Sequence, residues 1–320
     1  MGGDCTWTGC IPSKSLIASA KAAHAVTKAS KFGINIDGKV TIDMKAIKKR
    51  VDENIQQIYD EDDSPEALKK LGVHVIKGAA KFKDSKTLSV TTDNDSENDD
   101  ASAPSSCIQI CANYGILIAT GARPRAPTIP GMNEVDYITY EEAFSLEEIP
   151  DTITVIGGGP IGCELAQAYS RLGAKVTVVA SALLPREEPE VGQVMQRVFE
   201  AEGIKVTNSL VESVVSVSGG SGSGKAPHTA ICKDGQQVNG DLLLVAVGRT
   251  PVVNGMDLEA LGVELNEKGG IKTDNQLLTS VKGLYAAGDC TGDRQFTHYA
   301  GYQGAVSLCM LACHAASLNS

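Results

Sequence analysis

The stretch DTITVIGGGPIGCELAQAYSRLGAKVTVVAS, residues 151–181, constrains the fold of this chain more than any other. A β-rich run from Thr152 to Ile156 leads into Gly157, Gly159 and Gly162, then a helical stretch that stops at Gly173 and a second strand from Lys175 to Val179. Each glycine has a physical task there: the first permits a tight turn, the second lets backbone approach a pyrophosphate, and the third lets the helix pack on the strand. The glycine spacing alone is a weak sign. Set in a strand–turn–helix–strand unit it points to a dinucleotide site, with a ligand-free glycine-rich turn as the alternative. An NAD site usually carries Asp or Glu about 20 residues beyond the first glycine, to accept the ribose hydroxyls. Here the second strand ends at Ala180 and Ser181, so a 2′-phosphate is not repelled and Ser181 or Arg186 is available to contact it. The sequence therefore favours NADP over NAD.

Composition narrows the classes further. With 320 residues, 42% hydrophobic, the chain can bury one or two ordinary cores, and its 33 glycines suit nucleotide-binding turns. A formal charge of −10 works against nucleic acid or an anionic membrane as partner, because phosphates repel it. The apolar stretches LLLVAVG and GAVSLCMLACHAASL fall short of the ~20 residues that span a bilayer, and MGGDCTW has neither a basic nor an apolar leader region. Nine scattered cysteines do not form a secreted disulfide framework, so a reducing, intracellular compartment is expected.

Along the chain, Met44, Ile47, Val51, Ile55 and Ile58 recur at helical spacing and predict a helix with one buried face. From Val73 the pattern turns to short β-rich runs, broken by DNDSENDDASAP, an acidic surface loop that lacks the glycine and closing glutamate of a calcium loop. GGSGSGKAP has the outline of a phosphate loop, but Ala226 stands where magnesium would need a hydroxyl and Pro227 argues against a following helix. It reads as a hairpin loop. The apolar runs LLLVAVGRTP and GLYAAGDCTGD end in small residues, and Asp289 in the second suits either a ligand's hydroxyls or the N-cap of a following helix. At the start, GGDCTWTGCIPSKSLI places Cys5 and Cys10 five positions apart before a helix. That pair is a redox disulfide, a metal site or two buried thiols, and the missing His or third Cys nearby weakens the metal reading. Cys107, Cys111, Cys163, Cys232 and Cys290 read as packing, and Cys309 and Cys313, followed by His314, as a core helix face left uncovered by truncation, with a metal site or a thiol relay as the alternative.

Taken together, GGDCTWTGCIPSK, ATGARPRAPTIPG, GGGPIGCELA, AVGRTP and YAAGDCTG resemble, in order and over nearly the whole chain, the class I pyridine nucleotide-disulfide oxidoreductases. The wording GGDCTWTGC and PREEPEVGQVMQRVFEAEGIKV is most similar to the mercuric reductase-like branch, beside the dihydrolipoyl dehydrogenase-like one. The resemblance implies an α/β fold of two nested Rossmann-like three-layer domains: an FAD domain at residues 1–150 and 270–320, interrupted by an NAD(P) domain at 151–269. It implies FAD and NAD(P)H, preferably NADPH, as cofactors. Cys10 would be the flavin-facing thiol, Cys5 the interchange thiol, and Lys14, paired with Glu164, a neighbour of the flavin. Thr120, Gly121 and Asp289 would contact the flavin; Gly157, Gly159, Gly162, Ser181 and Gly248 complete the cofactor-binding set. No metal site is expected.

Relative to that family, the chain starts after the first strand and its glycine turn, and stops before the dimerisation domain that supplies a His–Glu acid–base pair. His298 cannot take that role by position. The expectation is therefore a truncated enzyme: NAD(P)H reduces the Cys5–Cys10 disulfide through FAD, and a small-molecule or protein disulfide, or another two-electron acceptor, is reduced in turn. The alternative is a non-catalytic isoform or gene fragment with nucleotide binding only. Full-length members would be homodimers, in the cytoplasm or an organelle matrix such as the plastid.

Overall fold

A computed structural model describes residues 2–92, 106–217 and 227–318. The acidic loop at 93–104 and residues 219–226 of the glycine–serine loop lie outside the described residues. The helices are α1 (Gly3–Trp7), α2 (Cys10–Lys28), α3 (Met44–Ile58), α4 (Pro65–Lys70), α5 (Tyr140–Ala143), α6 (Pro160–Arg171), α7 (Pro189–Ala201) and α8 (Thr297–Leu318). The first strands are β1 (Ala79–Phe82), β2 (Thr87–Thr92), β3 (Ser106–Cys111), β4 (Ile116–Ile118), β5 (Ala122–Pro124), β6 (Thr152–Ile156) and β7 (Lys175–Ala180). The later ones are β8 (Lys205–Asn208), β9 (Val211–Ser216), β10 (His228–Cys232), β11 (Gln237–Gly240), β12 (Leu242–Val245), β13 (Arg249–Pro251) and β14 (Leu284–Ala286). The chain forms two compact units, Met1–Ala67 with Pro124–Gly248, and Leu68–Arg123 with Arg249–Ser320.

The first unit is built on a parallel sheet in the order β12-β6-β7-β8. A parallel sheet covered on both faces calls for nearly continuous apolar strands, and β6 and β12 comply: Val155, Leu243 and Leu244 are fully buried. One face packs on helices, where Ile153, Val155 and Val178 share a core with Leu165 and Tyr169 of α6 and Leu16 and Ala20 of α2. The other face packs on the antiparallel sheet β11-β10-β9 through Ile156, Val179 and Val245 against Val214, Ala230 and Val238. Tyr169 donates its hydroxyl proton to the Ala143 carbonyl, and burial pushes its pKa up. Arg171 grips Glu202 through two hydrogen bonds, Nε–Oε2 at 2.8 Å and Nη2–Oε1 at 2.6 Å. The predicted helix from Met44 to Ile58 is present as α3, started by Asp43, whose Oδ1 accepts from the Ala46 amide at 3.0 Å.

In the second unit, β1, β2 and β3 form an antiparallel sheet, and β4 and β14 pair in parallel. Its core gathers Ile118, Ile271, Leu284, Ala286 and Cys290. Cys163, Cys232 and Cys290 are buried as expected, but Cys107 and Cys111 are exposed. The correction has a simple cause: β3 is an edge strand whose apolar neighbours in sequence do not face a core. Among the described residues no helix is long and apolar enough to cross a membrane.

Candidate functional site

The glycine turn joins β6 to α6. Gly157 has φ +116°, a conformation L side chains rarely adopt, and a Cβ there would lie 2.3 Å from the Ala246 carbonyl oxygen. A Cβ on Gly162 would lie 2.2 Å from the Gly157 oxygen, so the helix reaches the strand only because that methyl is missing. Gly159 differs from both. It is the N-cap of α6, at φ −72°, and a Cβ there would meet no atom within 4 Å. The open side of Gly159 and the amides that start α6 make a cradle for an anionic pyrophosphate. The residues present thus fit a dinucleotide.

Beyond β7 the chain folds back over this turn: the Leu184 amide donates to the Gly158 oxygen at 2.7 Å, and Gly157 donates to Val179 at 3.0 Å. Ser181 and Arg186 are exposed on that return segment. Gly248, φ +120°, accepts through its carbonyl from the Arg125 amide at 2.9 Å. Cys163, next to Gly162, donates its thiol proton to the Gly158 oxygen, and burial pushes its pKa up to about 11. It is therefore held as an inert neutral thiol.

Cys5 lies in the five-residue α1 and Cys10 opens α2. Both are half-buried. Gly9 lets the chain leading into α2 pass close against α1: a Cβ on it would sit 2.5 Å from the Asp4 oxygen and 3.2 Å from the Cys5 Cα. One turn further along α2, Lys14 Nζ donates to both carboxylate oxygens of Glu164 on α6, at 2.9 and 2.7 Å. With side chains 61% and 44% exposed, the pair is solvated and adds little stability.

The second unit gathers the other candidates at the carboxyl ends of the parallel pair β4 and β14, the usual ligand position in such sheets. Thr120 Oγ1 donates to the Val252 carbonyl at 2.6 Å, and Gly121, φ +73°, has open space where its Cβ would be. Asp289 is the first residue of a short 3-10 helix whose N-cap is Gly288, so the N-cap expectation for Asp289 is corrected by one residue. Its carboxylate meets Arg249 at 3.0 Å in a mostly buried pair. Arg249 was not singled out from the sequence, although AVGRTP contains it. The open side of Gly121 and the acceptor at Asp289 fit a hydroxyl-bearing cofactor chain.

The family model for pyridine nucleotide-disulphide oxidoreductases matches residues 1–304. The chain belongs to that family. Among the curated proteins, the family member from Shigella flexneri named mercuric reductase is 36% identical over all of this chain and 54% of its own length. A dihydrolipoyl dehydrogenase from Chlorobaculum tepidum is 36% identical over 96% of this chain and 62% of its own. A solved Cu(II) complex of a mutant HOCl-induced flavoprotein disulfide reductase, RclA from Escherichia coli, superposes with a TM-score of 0.79. It is 25% identical and covers 97% of this chain and 62% of its own. This member of the pyridine nucleotide-disulphide oxidoreductases therefore spans about half to three fifths of the length of these relatives. Among the described residues no group of three or more His, Cys, Asp or Glu is arranged to hold a metal ion.

Proposed function

We propose that this chain is the nucleotide- and flavin-binding core of an NADPH-dependent disulfide oxidoreductase in which Cys5 and Cys10 cycle between disulfide and dithiol. The observation that carries the reading is the coupling inside one compact unit of the open glycine turn on α6 with the cysteine-bearing start of α2, through Lys14 and Glu164. Residues 151–269 act as the nucleotide domain, and 1–150 with 270–320 as the flavin domain. FAD, when bound, supplies two-electron relay between the nicotinamide and the dithiol. Gly157, Gly159 and Gly162 hold the dinucleotide pyrophosphate, and Ser181 leaves room for a 2′-phosphate. Thr120, Gly121 and Asp289 hold the flavin chain.

The chemistry of the cysteines balances as exchange. Cys5 thiolate attacks one sulfur of an acceptor disulfide and expels the other as a thiolate. Cys10 thiolate then attacks the mixed disulfide at Cys5, re-forming the Cys5–Cys10 bond and releasing the second acceptor thiol. Two electrons and two protons leave with the acceptor. The full-length protein works as a homodimer on a small-molecule or protein disulfide. A second reading, nucleotide binding without turnover, rests on the half to three fifths of its relatives' length that the chain spans.

Thiol trapping tests the proposal. Oxidised protein supplied with FAD is treated anaerobically with NADPH, alkylated with iodoacetamide and mapped by mass spectrometry. Alkylation of Cys5 and Cys10 only when both FAD and NADPH are present supports it. Protein that retains FAD yet shows no NADPH-dependent change at either cysteine overturns it in favour of the second reading.

A further inference from the structure

The two cysteines are held in unequal ways. Cys10 belongs to a 19-residue helix, whereas Cys5 sits in a helix of five residues, far too short to hold its shape unaided. What fixes α1 is its surroundings. Tyr59 to Asp63, directly after α3, form a π-helical turn, a rare geometry that recurs at functional sites. That turn presents two side chains to α1. Asp63 Oδ2 accepts from the buried Thr6 hydroxyl at 2.5 Å, and the Tyr59 ring lies 5.0 Å from Trp7, centroid to centroid, tilted by 54°. On another element, the Tyr140 hydroxyl donates to Asp4 Oδ2 at 3.3 Å. Residues 4, 6 and 7, which flank Cys5, are thus each tied to a different side chain. The fit is close: a Cβ on Gly2 would fall 2.5 Å from Thr6 Oγ1 and 2.6 Å from Asp63 Oδ2.

We propose that the π-helical turn Tyr59–Asp63 clamps the Cys5-bearing turn against the start of α2 and thereby sets the dithiol–disulfide equilibrium of Cys5 and Cys10. Asp63 and Tyr59 are positioning residues. The inference rests on the reading of Cys5 and Cys10 as a redox pair. Loosening α1 gives freedom to the dithiol that the bridged form cannot use, so the effective concentration of one thiol at the other falls. The disulfide then becomes easier to reduce.

The test is equilibration of the purified chain with reduced and oxidised glutathione: two glutathione thiols and the protein disulfide exchange with glutathione disulfide and the protein dithiol. Trapping and mass spectrometry read the ratio without any cofactor. Thr6→Val and Asp63→Ala are each expected to favour the dithiol by about tenfold, equivalent to about 30 mV for a two-electron couple. The double variant is expected to match either single one, because both remove the same hydrogen bond. Asp63→Asn keeps an acceptor oxygen and is expected to restore the wild-type ratio. Thermal melts identify any variant that fails to fold, and Thr6→Val reads the contact from its other side. Wild-type equilibrium constants in folded Thr6→Val and Asp63→Ala overturn the clamp while leaving the redox pair intact. A wild-type chain that never bridges Cys5 to Cys10 overturns the redox reading and the clamp with it.

Discussion

Replacing Gly162 and Gly159 separately with alanine separates what the fold needs from what a ligand needs. The Gly162 methyl would be 2.2 Å from a backbone oxygen, more than 1 Å inside ordinary contact, and 3.2 Å from the adjoining carbonyl carbon. Neither atom can swing aside as a side-chain tip would. Either α6 lifts from β6 or the Gly157 turn distorts, and overpacking of this kind costs about 3 kcal/mol, the upper part of its usual range. For a chain of 320 residues that lowers the melting temperature by about 4–5 °C. Gly159→Ala meets no atom within 4 Å at an ordinary φ. It loses only the preference of an N-cap for glycine over alanine, up to about 1 kcal/mol. Its methyl instead occupies the side from which a pyrophosphate approaches, so NADPH affinity falls on the order of tenfold or more. Circular dichroism melts and calorimetric NADPH titration measure both quantities on both variants. A Gly159→Ala protein that binds NADPH as tightly as wild type would refute the cradle, and a Gly162→Ala protein of unchanged stability would refute the packing argument.

Three further outcomes follow from the same structure. His228 is buried and desolvation pulls its pKa down to about 4, against 6.5 in the unfolded chain. Below pH 6.5 the unfolded state binds a proton that the folded state refuses, so stability falls as pH drops from about 6.5 toward 4, by on the order of 3 kcal/mol over the window. Urea midpoints at pH 7 and pH 5 should differ in wild type and differ much less in His228→Leu. Burial works against ionisation of Glu202, yet the paired Arg171 guanidinium holds its carboxyl below the usual range, so Arg171→Met strands a half-buried carboxylate. A loss of about 2–3 kcal/mol by urea denaturation at pH 7 is expected. Glu164→Gln breaks an exposed pair, which should change stability by less than about 1 kcal/mol. It should nonetheless slow the NADPH-dependent exposure of Cys5 and Cys10 in thiol trapping, and an unchanged rate would reduce the Lys14–Glu164 pair to a strut.

Much of the first unit was legible because its signals are local. The β6 bounds, the three glycines and α3 follow from residue spacing within one element, and the structure returns Thr152–Ile156 and Met44–Ile58 as the pattern predicts. Contacts between distant segments left no such mark. Nothing in the spacing ties Asp63 to Thr6 or Asp289 to Arg249, pairs that meet only when separate elements are packed. The exposure of Cys107 and Cys111 has the same origin: an apolar sequence neighbour says nothing of whether a sheet face is covered. The π-helical turn was invisible too, since YDEDD reads as the frayed, acidic end of an ordinary helix.

The central claim, that the chain passes electrons from NADPH through a flavin to Cys5 and Cys10, is tested most directly by a visible absorption spectrum. The purified chain is incubated with FAD, desalted and titrated anaerobically with NADPH. A retained flavin band that bleaches, or grows a long-wavelength thiolate-to-flavin feature absent in Cys10→Ser, is the predicted result. A chain that retains no flavin, or whose flavin band NADPH leaves untouched, would contradict the account.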